Sequence, residues 1–533
     1  MPETPSKSIV PSALLEPATA IPEKRQDKWV SWVLPSISDI FFLVLLGLLG
    51  FSSMSAGLLG DADTGWHIRN GEVILATRAV PRVDPFSYTK AGQPWYAWEW
   101  LYDAVIGGIH HFAGLNGVVL FSAVVIAATF ALLFRFVLRR CGSFVVAAGL
   151  TLLGVSAAQV HILARPHILS WLFTLLWVEA LYRFEEGQRS ALLWLPPLML
   201  LWVNVHGGFI LGLVLIALFG CSRIWAFCCE PGDRCRRQIL DLTCALGACM
   251  AVTLLTPYGY KLHIHVYQYL SNSFLMNSIN EFMSPNFHAA GFGYFELFIL
   301  LSVVAVALAP RKLTATDLLV LLFSMHAGLF AARNIPLAAI MMCLVLGPAL
   351  ADLIAPGRRA CPEWVRSLLE RVHEISANMG GMERQFRGHA LVLVALAGCG
   401  LVALNGGRVF STQLLSAHFD EGIFPVMATE VIAQKGVRDG LFSPDYWSGY
   451  LIYKLYPATK LCFDDRHDFY GEQFVRDYLK TTTGDWRWRE MLDKNRVKWA
   501  LIPAGSPLSS IMKESNAWRL EYDDGIATIF SRN

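Results

Sequence analysis

The stretch IFFLVLLGLLGFSSMSAGLLGDADTGWHIRNGE, residues 40–72, decides how this chain is read. Its first part is apolar over about the ~20 residues that a membrane-spanning helix requires. Two carboxylates, a histidine and an arginine then follow within a few positions, as Asp61, Asp63, His67 and Arg69. The apolar run exceeds the ~7–15 residues of a signal-peptide core, so it reads as a retained first span. Ionisable groups at the edge of the hydrocarbon are costly to desolvate, and they more often mark a site than decorate a flank.

Composition sets the class. The 533 residues are 54% hydrophobic and 16% charged, with a mean hydropathy of +0.44. Such a chain is too apolar for an ordinary soluble protein and reads as a polytopic α-helical membrane protein. A formal net charge of +2 decides nothing, because in membranes the placement of Lys and Arg matters more than their sum. Of the eleven cysteines, only Cys462 falls in the polar C-terminal region, so no disulfide framework is expected there. The Cys228, Cys229 and Cys235 group lacks a partner pair at zinc spacing.

Twelve apolar runs lie between residues 39 and 406. Loops rich in arginine or lysine at 23–28, 135–140, 184–189, 228–237, 310–313 and 356–371 share the inner side only if one run does not cross. The 98–113 run is short, opens with WEWLYD and carries His110 and His111, which suits an interfacial helix. The expected organisation is therefore a cytoplasmic tail (1–38), a membrane domain of about eleven spans (39–410) and an outer soluble domain (411–533). The first outer loop is long, 61–116. This parity puts 61–116, 161–167, 204–208, 257–291, 331–334 and everything after about 407 on one face, whereas twelve crossings would scatter them. The 362–376 stretch, with Trp364, Leu368 and Val372 at i, i+4 spacing, reads as a helix lying on the inner surface.

The region from Ser411 onward reads as a small α/β unit. PVMATEVIAQ, WREMLDKNRV and SPLSSIMKES are helical in pattern, while KLCFDD, KWALIPA, WRLEYDD and IATIFSR are strand-like. Neither a Walker A motif nor a dinucleotide fingerprint occurs, which argues against an ATP-driven pump.

The outer loops supply the candidate chemistry. Asp61 and Asp63 are either caps of the helix that stops before Pro81 or members of a site, with His67 and Arg69 facing the same cavity or the headgroups. Trp95, Tyr96, Trp98 and Trp100 suit both an interfacial belt and a sugar-stacking platform. Glu99, between two tryptophans, needs a partner to stay charged. Arg165 and His167 flank the helix-breaking Pro166, and an inward arginine there suits phosphate oxygens. Asn204 and His206 sit beside Gly207 and Gly208. The 257–291 loop adds Tyr258, Lys261, His263, His265 and Glu281, and Arg333 adds positive charge on the same face. The H-x-H pair would hold a metal only if 261–270 were extended, because alternate residues diverge in a helix. In the C-terminal region, Asp464, Asp465, Arg466 and Asp468 either pair among themselves or contact an acceptor.

The blocks GDADTGWHIRNGE, VPRVDPFSYT, WEWL, ARPHILS, WVNVHGGF, TPYGYKL, INEFMSP and RNIP resemble those of a bacterial branch of the GT-C membrane glycosyltransferases. That class includes oligosaccharyltransferases, protein O-mannosyltransferases and aminoarabinose transferases. The resemblance implies transfer of a sugar, usually with inversion, from a polyprenyl-phosphate or polyprenyl-diphosphate donor to an acceptor glycan, lipid or protein. It implies a plasma-membrane enzyme whose active face is extracytoplasmic, with membrane lipid rather than nucleic acid as its surroundings. By that likeness Asp61 takes the acceptor proton, Asp63 orients it or touches a divalent cation, and Glu99 is the acidic residue closing the first outer loop. Arg165, His263 and Arg333 would hold the lipid phosphate. No second acidic site is evident at 161–167, so metal dependence is not implied and no metal ligands are assigned. Two rivals stand: a secondary transporter or flippase of an anionic lipid or sugar, using the same charges as a relay, and an assembly protein whose outer region recruits partners.

Overall fold

A computed structural model gives the fold for residues 28–356, 362–386 and 388–533. The charged 23–28 segment and part of the 356–371 loop, both expected inside, fall largely outside the described residues. The chain is mostly helical, with small sheets confined to its C-terminal region.

Among the described residues five helices are long and apolar enough to cross a membrane: Ser31–Phe51, Trp100–Cys141, Phe144–His161, Gly207–Cys229 and Ala332–Leu353. The pair Glu363–Gln385 and His389–Leu404, bent by 71°, makes a sixth if it is one span. Eleven crossings are therefore more than length and composition support. Several other apolar runs form helices that are short for a full crossing, as in Arg189–Val205, Gly293–Leu308 and Ala315–Phe330. The His167–Glu185 helix has the length but carries Glu179, Arg183 and Glu185. The 98–113 and 117–138 runs are one element, Trp100–Cys141, broken at Gly114, whose backbone (φ 57, ψ −156) leaves the helical region. Only glycine enters that conformation without strain.

Two elements form the hub. The Trp100–Cys141 and Ile335–Leu353 helices bury most of their surface, while Gly293–Leu308 exposes Leu297, Leu300, Val303 and Val306, the outward apolar face expected of lipid contact. Two of the arginine-rich loops expected to share a side, 135–140 and 184–189, meet, and helix ends near them are joined by further ion pairs. Arg139 pairs with Glu179 (2.9 Å) and Glu186 (3.2 Å), Arg223 with Glu185 (3.0 Å), and Arg140 with Asp317 (3.5 Å).

The C-terminal region contains a four-stranded sheet in the order 441–442, 499–503, 527–532, 518–523, parallel only at its first pair. The helices Val426–Gln434, Trp488–Lys494 and Pro507–Glu514 and three of the strands fall where the pattern put them. KLCFDD is not a strand: Leu461 makes only isolated bridges to Ser87 and Leu441. Nor does this region stand apart. One apolar core runs from Leu46 and Phe130 through Tyr450 to Ile529.

The seam between the two parts is a glycine crossing. The Asp445–Leu455 helix lies on the Asp63–Thr77 helix so closely that a Cβ on Gly65 would strike the Gly449 carbonyl, and one on Gly449 the Ala62 carbonyl. Arg69 ties the same seam, donating to the Tyr453 carbonyl (2.7 Å) and pairing with Glu72 (2.5 Å). Gly449→Val is expected to lower the unfolding temperature by an amount equivalent to ~1–3 kcal/mol or more and to open the 405–425 connection to protease. Gly505→Ala, in open space, is the control and should change neither.

Candidate functional site

Some way beyond the end of the first span at Phe51 the chain turns at Asp61, whose Oδ1 accepts the backbone N–H of Asp63 (2.8 Å) at the start of the Asp63–Thr77 helix. The helix N-cap is Ala62, with no side-chain cap, and the Asp61 bond is a local turn contact before it. That contact does not use up the group, because Oδ2 faces Arg165 Nη1 at 3.0 Å. Arg165 reaches from the break before Pro166 and is the centre of the arrangement. Its other terminal nitrogen meets Asp63 at 2.5 Å, and Glu281 stands 3.5 Å away. Glu281 bonds Arg333 (2.9 Å), whose guanidinium also stacks over Phe282 at 4.5 Å. Residues 61, 165, 281 and 333 come from four separate loops, and they converge on one site.

These groups line a cavity of about 480 Å³ together with Trp95, Tyr96, Trp98, Glu99 and Tyr269. Its roof comes from the C-terminal region, through Asp445, Tyr446, Asp465, Arg466, His467 and Asp468. A second cavity of about 480 Å³ adjoins it and is mainly apolar, with Trp171, Leu211, Val214, Phe323 and Leu337 in its wall. Trp98, Glu99, Tyr269 and Arg333 border both spaces. Phe330 and Leu270, also in the apolar wall, are exposed, so that space opens outward among groups suited to lipid.

The charges are unequal in character. Burial pushes the Asp61 carboxyl up to about 6, with Arg165 opposing the rise and Asp63 adding to it. Burial would also raise Asp63, but Arg165 and a hydrogen bond from Asp465 hold it below the usual carboxylate range. Glu281 is likewise opposed by burial, yet Arg333 and Arg165 bring it down to about 2. Burial raises Glu99 to about 7, partly offset by His67. Two carboxylates of different basicity therefore share one arginine, and the more basic, Asp61, keeps about a quarter of its side-chain surface open to the cavity (26%).

Glu99 heads a buried chain of polar groups. His67 Nε2 lies 3.8 Å from it and His206 Nε2 3.7 Å. His67 Nδ1 bonds Asp103 (2.6 Å), which also accepts from Asn70 (2.6 Å). His206 Nδ1 bonds Ser170 Oγ (2.8 Å), which accepts from Trp202 Nε1 (2.7 Å). Asp103 was open to discovery as a carboxylate on the inner face of an otherwise apolar helix, but WEWLYD reads first as an interfacial segment.

Other sequence candidates lie elsewhere. His167 borders the apolar cavity and donates from Nε2 to the His161 carbonyl (2.9 Å). Tyr258 braces the first outer loop, accepting from Ala97 N–H and donating to the Pro81 carbonyl. Asn204 accepts from Trp100 Nε1 (2.8 Å) and donates to two carbonyls, so Trp100 is not on the platform that Trp95, Tyr96 and Trp98 form. Lys261 is exposed and borders neither cavity. His263 bonds Thr253 (2.8 Å), away from both spaces, which removes it from the set around any phosphate. The 260–270 segment is helical, so His263 and His265 diverge, and the extended geometry needed for a shared metal is absent. His265 instead bonds Asp468 (2.8 Å) at the cavity roof. Among the described residues no group of three or more His, Cys, Asp or Glu is placed to hold a metal ion.

The C-terminal loop divides between both of its readings. Arg466 is self-paired, gripping Asp464 and Asp84 (2.7 Å each) beneath Trp95, whereas Asp465, His467 and Asp468 face the cavity. No protein-family model matches the chain, and no curated protein matches it.

Because the Glu281 carboxyl is more acidic in the folded chain than at its ordinary 4.5, its ion pairs stabilise the fold fully above pH 4.5. That contribution fades as pH falls towards about 2. Glu281→Gln is expected to destabilise at pH 7 by on the order of 3 kcal/mol, with the gap to wild type roughly halved near pH 3 in thermal unfolding. An equal gap at both values would assign the loss to packing instead.

Proposed function

We propose that the protein is a membrane glycosyltransferase that moves a sugar from a polyprenyl-phosphate-type donor to an acceptor at the outer face, with Asp61 as the base. The observation carrying this reading is the junction of the two cavities at Glu99 and Arg333. A lipid-linked sugar needs an apolar berth for its chain, a cation for its phosphate and a polar chamber for the sugar, in that order along one molecule. The apolar space, Arg333 and the Asp61 chamber follow that order. Arg333 gives one N–H to Glu281, and among the described residues its other donors have no hydrogen-bond partner, so they suit phosphate oxygens.

In the reaction the acceptor hydroxyl oxygen attacks C1 of the sugar and its proton passes to Asp61. The C1–O bond to phosphate breaks, and the electron pair stays on the phosphate oxygen, where Arg333 and Arg165 offset the developing charge. The Trp95, Tyr96 and Trp98 wall supplies faces for sugar stacking. The bond energy of the glycosyl phosphate drives transfer, which is why a nucleotide site is unnecessary. Eleven crossings, an extracytoplasmic active face and a plasma-membrane location belong to this reading.

The buried Asp103, His67, Glu99 and His206 chain favours one rival, a proton-coupled transporter or flippase of an anionic lipid or sugar. Lipid mass spectrometry separates the two. Asp61→Asn should purify folded, lose turnover of a lipid-linked sugar by about a hundredfold or more, and retain a glycosylated carrier. Wild-type turnover in that variant would remove Asp61 from the chemistry, and transport without transfer would favour the rival. Since Asp61 must be ionised to accept a proton, wild-type turnover should rise with pH through about 6. A flat profile from pH 5 to 7 in steady-state assays contradicts the assignment.

A further inference from the structure

The loop over the cavity places a carboxyl where no cation meets it. Asp465 is fixed by its backbone N–H, which donates to Ser448 Oγ (3.2 Å), and Ser448 in turn donates to the Asp445 carbonyl (2.5 Å). The loop is thereby anchored to the helix that crosses Asp63–Thr77 through Gly449. Both Asp465 carboxyl oxygens are buried, and among the described residues no N–H or hydroxyl group donates to either. Asp63 lies beside them: its backbone N packs against Gly449, the residue after Ser448, and both aspartates line the same cavity.

The nearby charged groups bond other carboxylates, although Arg466 Nη1 and Arg165 Nε are themselves buried without a partner among the described residues. Arg466 turns to Asp464 and Asp84, and His467 bonds Asp445 (3.0 Å). Arg165, from the membrane part, meets Asp61, Asp63 and Glu281. Two neighbouring buried carboxyl groups with no cation between them are costly to ionise together, and sharing one proton relieves that cost.

We propose that Asp465 is a positioning residue of the outer region that carries a proton onto Asp63. This keeps Asp63 an anion oriented towards Arg165, and Arg165 thereby stays in place beside Asp61. The proton resides on Asp465, whose acidity is weakened by burial, by Asp63 and by Asp464, while Asp63 is held acidic by Arg165. The kinetic part of this proposal rests on the glycosyl-transfer reading. Its spectroscopic part does not.

Asp465→Asn keeps a donor towards Asp63 but cannot titrate, and Asp465→Ala removes the donor. In full-length protein, infrared difference spectra of wild type against Asp465→Asn near pH 8 should show one protonated-carboxyl carbonyl band lost. With a lipid-linked sugar, Asp465→Ala should lower kcat about a hundredfold with little change in KM, and Asp465→Asn should restore most of it. Wild-type turnover should also fall at alkaline pH, as the shared proton is lost and two adjacent anions repel, and Asp465→Asn should lack that limb. An unchanged carbonyl band overturns the shared proton. Asn as inactive as Ala, or an unaltered alkaline limb, overturns the positioning role. If wild-type protein turns over no lipid-linked sugar while the band is lost as expected, the functional reading fails and the acid pair stands.

Discussion

The arrangement depends on where one guanidinium can find its counter-charges. Arg165 is surrounded by protein at the edge of the membrane part, and a cation there is tolerable only with anions in reach. The chain brings three, Asp61, Asp63 and Glu281, from loops about a hundred residues to either side. Their mutual repulsion is in turn tolerable only because Arg165, Arg333 and one proton are interleaved among them. The cavity is thus an alternation of charges, and removing Arg165 would leave Asp61 and Asp63 without their shared cation.

That alternation explains why carboxylates in one space differ so much. Glu281 lies between two arginines and is strongly acidic, Asp61 has a share of one arginine and is weakly so, and Glu99, raised by burial with His67 and His206 nearest and both arginines farther off, is weaker still. Environment, not residue type, assigns the roles. In the proposed transfer, a base that is ionised near neutrality yet still proton-seeking would serve a sluggish hydroxyl nucleophile.

Much of the site was legible in the chain, for a physical reason. Asp61, Asp63, Glu99, Arg165 and Arg333 stand at or near the ends of apolar runs, where a charge is conspicuous because it is expensive, while Glu281 lies within a long loop. Residues in ordinary polar surroundings gave no such contrast. Asp465 sits in CFDDRHDFYGE, where self-pairing was the simpler reading and holds for Arg466, and nothing local says that one carboxyl turns inward. Lys261 and His263 lie off the cavity: charge within the right loop does not specify distance from it. The membrane part was legible as a class but not as a count, since apolar runs of eleven to sixteen residues fold as helices without measuring a bilayer. The seam with the outer region was hidden for another reason. It depends on Gly65 meeting Gly449, and a missing side chain leaves no pattern.

The two spaces meeting at Glu99 and Arg333 have a bearing on traffic. A greasy molecule sliding in sideways through Leu270 and Phe330 and a water-borne one descending past Tyr446 would use separate doors. Neither guest need wait for the other to leave, and only at the corner between the rooms do they touch.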